Sequence, residues 1–176
     1  MTSSAIWMII CIKARIHKMH PENEHASDEL CMRTNVMFRV IGKDLVPDEI
    51  TGLLDLRPTV AHARGEMHKV PRVGIRPWSN GHWSLCTEKL VASRSVEDHV
   101  RFLLDQLEVR TEEVRQILDD HRHRVSISFW WESTVEHGSF ELPSSLFERL
   151  SHLCDDMEFH FIGTCHAEYS ARGGRA

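Results

Sequence analysis

Between Arg124 and Trp131 the chain reads RVSISFWW. Val125, Ile127, Phe129 and Trp131 alternate there with Ser126, Ser128 and Trp130, which is the period of a strand with one apolar face. β-branched and aromatic side chains suit such a pleated, half-buried surface. A strand of this kind needs neighbours along its edges and a second layer over its apolar face. The rest of the chain is therefore read for strands to pair with it and helices to cover it.

Three further runs have strand character. VMFRVI (Val36 to Ile41) is β-rich and ends at Gly42; HWSLCT (His82 to Thr87) carries Trp83 and Leu85 on one face; MEFHFI (Met157 to Ile162) carries Met157, Phe159 and Phe161 on one face. Helical signals lie between them. Pro47 suits a first helical turn, Asp48 and Glu49 favour its positive end, and Ile50, Leu53 and Leu54 form a stripe that Arg57-Pro58 stops. The longest signal runs from Ser95 to about Asp120, with Val96, Val100, Leu103, Leu104 and Leu107 on one stripe and Val114, Ile117 and Leu118 continuing it. Thr111 could cap a second helix, so a kink is expected between Glu108 and Thr111. LPSSLFERLSHL opens a last short helix at Pro143. Residues 57 to 81, with Gly65, Pro71, Gly74, Pro77 and Gly81, read as irregular, with a short strand around Val60 to Met67.

The pair VMFRVI and LVPDEITGLLDL echoes VSISFWW and LPSSLFERLSHL, with Pro47 over Pro143, Ile50 over Leu146 and Leu54 over Leu150. The expected fold is α+β: one antiparallel or mixed sheet with helices on one face, a ferredoxin-like or duplicated βαβ-type sandwich. One domain is expected over residues 32–167. Residues 1–31 are polar and aperiodic after AIWMIICI (Ala5 to Ile12) and read as a loosely attached extension, and residues 168–176 read as a flexible tail. A natural start near Met32 is one expectation for the upstream segment.

At 176 residues, 41 % hydrophobic and 27 % charged, the chain suits one soluble domain. Its net charge of −5 argues against nucleic acid as the main ligand, which needs a basic footprint. Ala5 to Ile12 is far shorter than the ~20 residues that span a bilayer, and its positive charges follow rather than precede it, so neither anchor nor export signal is read. Cys11, Cys31, Cys86, Cys154 and Cys165 are odd in number and none are spaced C-x-x-C, which points to reduced thiols in a cytoplasm.

FRVIGKDLVPDEITGLLDLRPT, the Arg64-Gly65-Glu66 that follows, HWSL, the SVEDHVRFLLDQLE helix and the SFELPSSLFERLSHL half together resemble the bacterial domain-of-unknown-function 4279 family. The resemblance covers about Val36 to Gly163. Its sharpest pieces are Asp48 to Thr51 and Trp83 to Leu85, signatures of a fold more than of a chemistry. It implies a small stand-alone bacterial domain and carries over no catalytic residue, cofactor or activity.

The residues themselves agree. The chain has no G-x-S-x-G, H-E-x-x-H, G-K-[ST] phosphate loop or G-x-G-x-x-G. Thirteen histidines raise the question of a metal, but His121, His123, Cys154, His160, Cys165 and His166 do not converge by spacing, so no metal site is expected. Cys86 reads as a structural thiol.

Two features stand out as binding surfaces. Residues 57–81 hold Arg57, Arg64, Lys69, Arg72 and Arg76 against Glu66 alone, a net +4, with His62, His68 and Trp78 interleaved. Arginine beside aromatic rings can grip anions and stack on planar groups. The plainer alternative is a solvated connection whose arginines pair with the acid-rich helix after Ser95. The second feature is the sheet face away from the helices, which would carry Arg39, Trp130 and His160 among Met37, Ile41, His82, Ser84, Cys86, Ser126, Ser128, Glu158 and Ile162. The favoured reading is a non-enzymatic protein-interaction module, in a regulatory or toxin-neutralising setting, that binds another protein or itself through Arg39, Arg64, Arg72, Arg76, Trp78, Trp130 and His160. The alternative is a binding or enzymatic domain for a small anionic ligand, built on Arg64, Arg72 and Arg76 with a histidine as acid or base.

Overall fold

The structure, a computed structural model, describes residues 30–133, 135 and 139–163. The expectations for the N-terminal extension before residue 30 and for the tail, together with Cys11, Cys165 and His166, lie outside the described residues. Among the described residues twelve elements follow in order: β1 (Cys31–Gly42), α1 (Pro47–Leu54), β2 (Val60–His62), β3 (Met67–Val70), β4 (Gly74–Pro77), β5 (Gly81–Cys86), α2 (Val96–Leu107), a 3-10 turn (Glu108–Arg110), α3 (Thr111–Asp119), β6 (His123–Ser133), α4 (Ser144–Ser151) and β7 (Asp156–Gly163).

Five strands form one sheet in the order β2-β5-β1-β6-β7, and β3-β4 is a separate two-stranded ribbon. β1 lies antiparallel to both β5 and β6, while β7 lies parallel to β6. The fold is therefore α+β with a mixed sheet, as the alternating strand required. The two echoing halves share the order strand, helix, parallel strand but differ in where the return lands: β7 lies directly beside β6, whereas β2 is separated from β1 by β5, which is antiparallel to both.

The strand RVSISFWW is paired on both edges and gives Val125, Ile127, Phe129 and Trp131 to the core. Val36, Phe38 and Val40 of β1 and Trp83 and Leu85 of β5 extend the same apolar face. Ile50, Leu54, Val100, Leu103, Leu104, Leu107, Val114, Ile117, Leu146 and Leu150 cover it from the helices. Fully burying each of these side chains contributes about 1.5–3 kcal/mol. The kink expected after Leu107 is the 3-10 turn, and it carries a clasp. Arg149 of α4 donates from Nε and Nη2 to the two carboxylate oxygens of Glu108 at 2.7 and 2.6 Å, and Arg110 donates to the C-terminal carbonyl of α1 at Leu54.

β1 begins five residues before the expected Val36, because the long β6 offers Trp130 to Ser133 as partners for the polar stretch from Cys31 to Asn35. Tertiary pairing overrides the weak local propensity. At the far end of β5, Thr87 Oγ1 accepts from the Val36 amide at 2.9 Å and donates to His99 Nδ1 at 2.6 Å. His99 Nε2 then donates to the Ser93 carbonyl at 3.0 Å. This fixes the tautomer of a buried histidine and ties α2 to the sheet.

Candidate functional site: a basic arm and the outer sheet face

The segment read as irregular contains a hairpin. Met67↔Pro77, His68↔Arg76, Lys69↔Ile75 and Val70↔Gly74 pair across it. The turn places Arg72 at φ 65 and Gly74 at φ 101, and the glycine takes that backbone at no steric cost. Gly65 N–H donates to the Trp78 carbonyl and Trp78 N–H to the Glu66 carbonyl, both at 2.9 Å, closing the base. Four-residue strands with no apolar alternation are too short to show a period, so only Pro71 and Gly74 marked the turn.

A column of rings fastens the base of this arm to the sheet. His68 stacks on Trp78 at 3.5 Å between centroids, Trp78 on His62 at 4.0 Å and His62 on His82 at 5.1 Å, with interplanar angles of 7°, 7° and 14°. Both faces of Trp78 are thus covered by imidazoles. His62 belongs to β2 and His82 to β5, directly paired. Beyond the column the arm is exposed, and it mixes charge with apolar surface. Met67 is 64 %, Val73 53 % and Ile75 69 % exposed. Arg57, Arg64, Lys69, Arg72 and Arg76 are exposed as well. None of these five cations has a carboxylate within 4.0 Å among the described residues, so the acid-rich helix does not neutralise them.

Next to the column, His82 Nε2 lies 3.0 Å from Ser84 Oγ, and Ser84 Oγ donates to the Val60 carbonyl at 3.4 Å. With the serine proton spent on Val60, His82 Nε2 is the donor of this pair. Burial pushes the His82 imidazole down to about 4, and neighbouring His62 and Arg39 add to the effect. His62 is lowered chiefly by burial too. A serine next to a neutral histidine resembles a nucleophile with its base, but Ser84 is fully buried and its hydroxyl already engaged. The pair locks β2 to β5.

The sheet face itself is knitted together by charge. Arg39 donates from Nε to Ser126 Oγ at 3.1 Å and from Nη2 to Glu158 Oε1 at 2.8 Å, and Arg124 reaches Asp156 at 2.8 Å. His160 Nε2 stands 3.6 Å from Glu158, and its ring is 5.8 Å from that of Trp130, while the Arg33 guanidinium lies over the Trp130 ring, 5.8 Å from its centroid. The seven residues singled out by sequence thus fall into two groups. Arg64, Arg72, Arg76 and Trp78 belong to the arm, while Arg39, Trp130 and His160 interlock on β1, β6 and β7. His62 and His82 link the two groups; the sequence showed His62 interleaved with the cations and His82 on the outer sheet face, but not that their rings stack. A shallow groove of about 380 Å³ lies elsewhere, lined by Arg33, Thr34, Glu88, Ser93 and Arg94 among others. Among the described residues no cluster of three or more histidine, cysteine or acidic side chains could hold a metal ion, and no helix is long and apolar enough to cross a membrane.

The family model described as Domain of unknown function (DUF4279) matches residues 32–162. The chain belongs to this family. No curated protein and no solved structure matches it. The DUF4279 match spans β1 almost to the end of β7, so the basic arm lies inside the family domain. The fold also explains two of its sharpest sequence pieces. Thr51, from the D-E-I-T start of α1, accepts a hydrogen bond from Trp83 Nε1 at 3.0 Å while donating to the Pro47 carbonyl at 3.0 Å. Those motifs meet in the core, where Trp83 lies edge-on to Phe38 at 6.2 Å.

Proposed function

We propose that this DUF4279 domain is a non-enzymatic protein-interaction module of the cytoplasm, and that the β3-β4 arm is its recognition element for an acidic protein surface. The observation that carries this reading is the unpaired charge of the arm: four exposed cations (Arg64, Lys69, Arg72 and Arg76), three exposed apolar side chains, and a base held by stacked rings. Arginine and apolar residues together are what interface centres favour, and opposite charge speeds and orients the encounter. A pre-shaped ribbon loses little conformational freedom on docking. Reduced, burial-suppressed thiols at Cys86 and Cys154 suit a cytoplasmic setting.

The test is capture of partners by the tagged chain from lysate of its native host, identified by mass spectrometry, with Arg72→Glu/Arg76→Glu and Trp130→Ala in parallel. The expected result is one stoichiometric, acidic protein whose affinity falls at least about tenfold in the charge-reversed arm and falls with added salt. A partner retained at full strength by Arg72→Glu/Arg76→Glu refutes the arm, and loss with Trp130→Ala alone moves the interface to the sheet face.

A further inference from the structure

The two edges of the sheet are unlike. β2 is three residues long and has the arm folded beside it through the ring column. β7 is eight residues long, and its register with β6 runs without a break from Ser126↔Asp156 to Ser133↔Gly163. Its other side pairs with no strand among the described residues. Proteins usually guard such an edge with proline, lysine, a bulge or a short strand. DMEFHFIG has no proline, lysine or bulge, and its two carboxylates, Asp156 and Glu158, are already engaged by Arg124 and Arg39. It instead exposes Phe159 at 43 %, Phe161 at 56 % and Ile162 at 37 %. Phe159 and Phe161 were expected to point at the helices. They do share the face of Phe129 and Trp131, stacking at 4.7 Å and lying edge-on at 6.3 Å. The helices end short of them, so their outer sides stay open.

We infer that two copies of the chain pair antiparallel through β7 about a two-fold axis at Phe159, joining their sheets into one. The strand is self-complementary in that register. Phe159 meets its own counterpart, Met157 meets Phe161, and Glu158 meets His160, each pair on a common face of the joined sheet. The aromatic group of Phe159, Phe161 and Phe140, which lies 6.4 and 5.6 Å from them, then continues across the axis. On the opposite face Glu158 of each copy gains the imidazole of the other. Centring the axis on His160 instead would set histidine against histidine and Glu158 against Ile162. The charge pattern therefore selects Phe159. A closed two-fold pairing also consumes the edge in both copies, which stops further addition.

The experiment is sedimentation equilibrium on the full chain from about 1 to 100 µM, with circular dichroism and thermal melting of each variant alongside. The expected result is a discrete dimer that Phe161→Lys reduces to monomer with an unaltered fold. His160→Glu sets acid opposite Glu158 twice per dimer and weakens dimerisation roughly tenfold, whereas His160→Lys preserves it. These two substitutions lie at an exposed position and carry the test if Phe161→Lys disturbs folding. A wild-type chain that stays monomeric at 100 µM overturns the inference, as does a dimer that none of the three variants changes. A dimer broken by His160→Lys overturns the register.

Discussion

His82 offers the sharpest check on the ring column, because its position has a pH signature. The folded ring is pushed down from 6.5 to about 4, with burial the largest cause. A histidine lowered on folding is neutral in the native state and takes up its proton in the unfolded state first. As pH falls through 6.5 the unfolded chain binds protons that the native one refuses, so stability is lost between about pH 6.5 and 4 and is intact above that window. The full displacement corresponds to a loss of about 2 kcal/mol between pH 7 and 5. The ring is only half-buried, and solvent screening brings the expected loss to about 1 kcal/mol. The measurement is urea unfolding at closely spaced pH values for the wild type and His82→Gln, which keeps a donor toward Ser84 but cannot titrate. Carboxylates and other histidines contribute to both curves and cancel in the difference. The wild type should lose about 1 kcal/mol more than His82→Gln on going from pH 7 to 5. A flat difference would mean that His82 is solvated and that the column does not hold the arm as described.

Two further outcomes test the frame that carries the arm. A Cβ at Gly81 would fall almost onto the Leu45 carbonyl oxygen and within 3.0 Å of the Leu45 Cβ, so Gly81→Ala should cost about 1–3 kcal/mol in urea unfolding, and an unchanged midpoint would contradict the packing of β5 on the loop before α1. Burial pushes the Cys154 thiol from 9.0 up to about 11 and raises Cys86 as well, so at pH 8 peptide mapping should show iodoacetamide labelling Cys154 about a hundredfold more slowly in the native chain than in guanidinium, and equal rates would show the site open.

The core was legible because its signals are long and periodic. Val125, Ile127, Phe129 and Trp131 could face only one way, and the stripe from Val96 to Leu107 could bury only one side. The break after Leu107 was legible from Thr111. The arm was not, since six of the eight residues in Met67 to Val70 and Gly74 to Pro77 are exposed and so carry no burial pattern. Its fastening was hidden for another reason. His62, His68, Trp78 and His82 are spread over more than twenty positions, and ring stacking is decided by strand register, which a sequence does not print. The cations were visible, but whether they were neutralised depended on where α2 and α3 lay. Phe159 and Phe161 illustrate the converse limit. The alternation named their face correctly, while their exposure depends on how far the helical layer extends across the sheet.

That layer also explains why the two proposed surfaces sit where they do. The helices cover β5, β1 and β6, whose edges are all paired, and leave each margin of the sheet to its own solution. At the β2 margin the chain spends the segment from residue 63 to residue 80 on an arm, and stacked imidazoles rather than aliphatic packing hold its base. This keeps the arm's cations free of the acid-rich helices, and a chain of net −5 thereby concentrates a local +3 on the arm. At the β7 margin there is no spare segment among the described residues, and the strand meets solvent with phenylalanines. A second copy is the partner that such a self-complementary strand fits best. Pairing there leaves the arms at the two outer ends of a ten-stranded sheet, farthest from each other. Charge of one sign is then kept apart, and two acidic surfaces, or two sites on one assembly, can be engaged at once with the avidity that linkage provides.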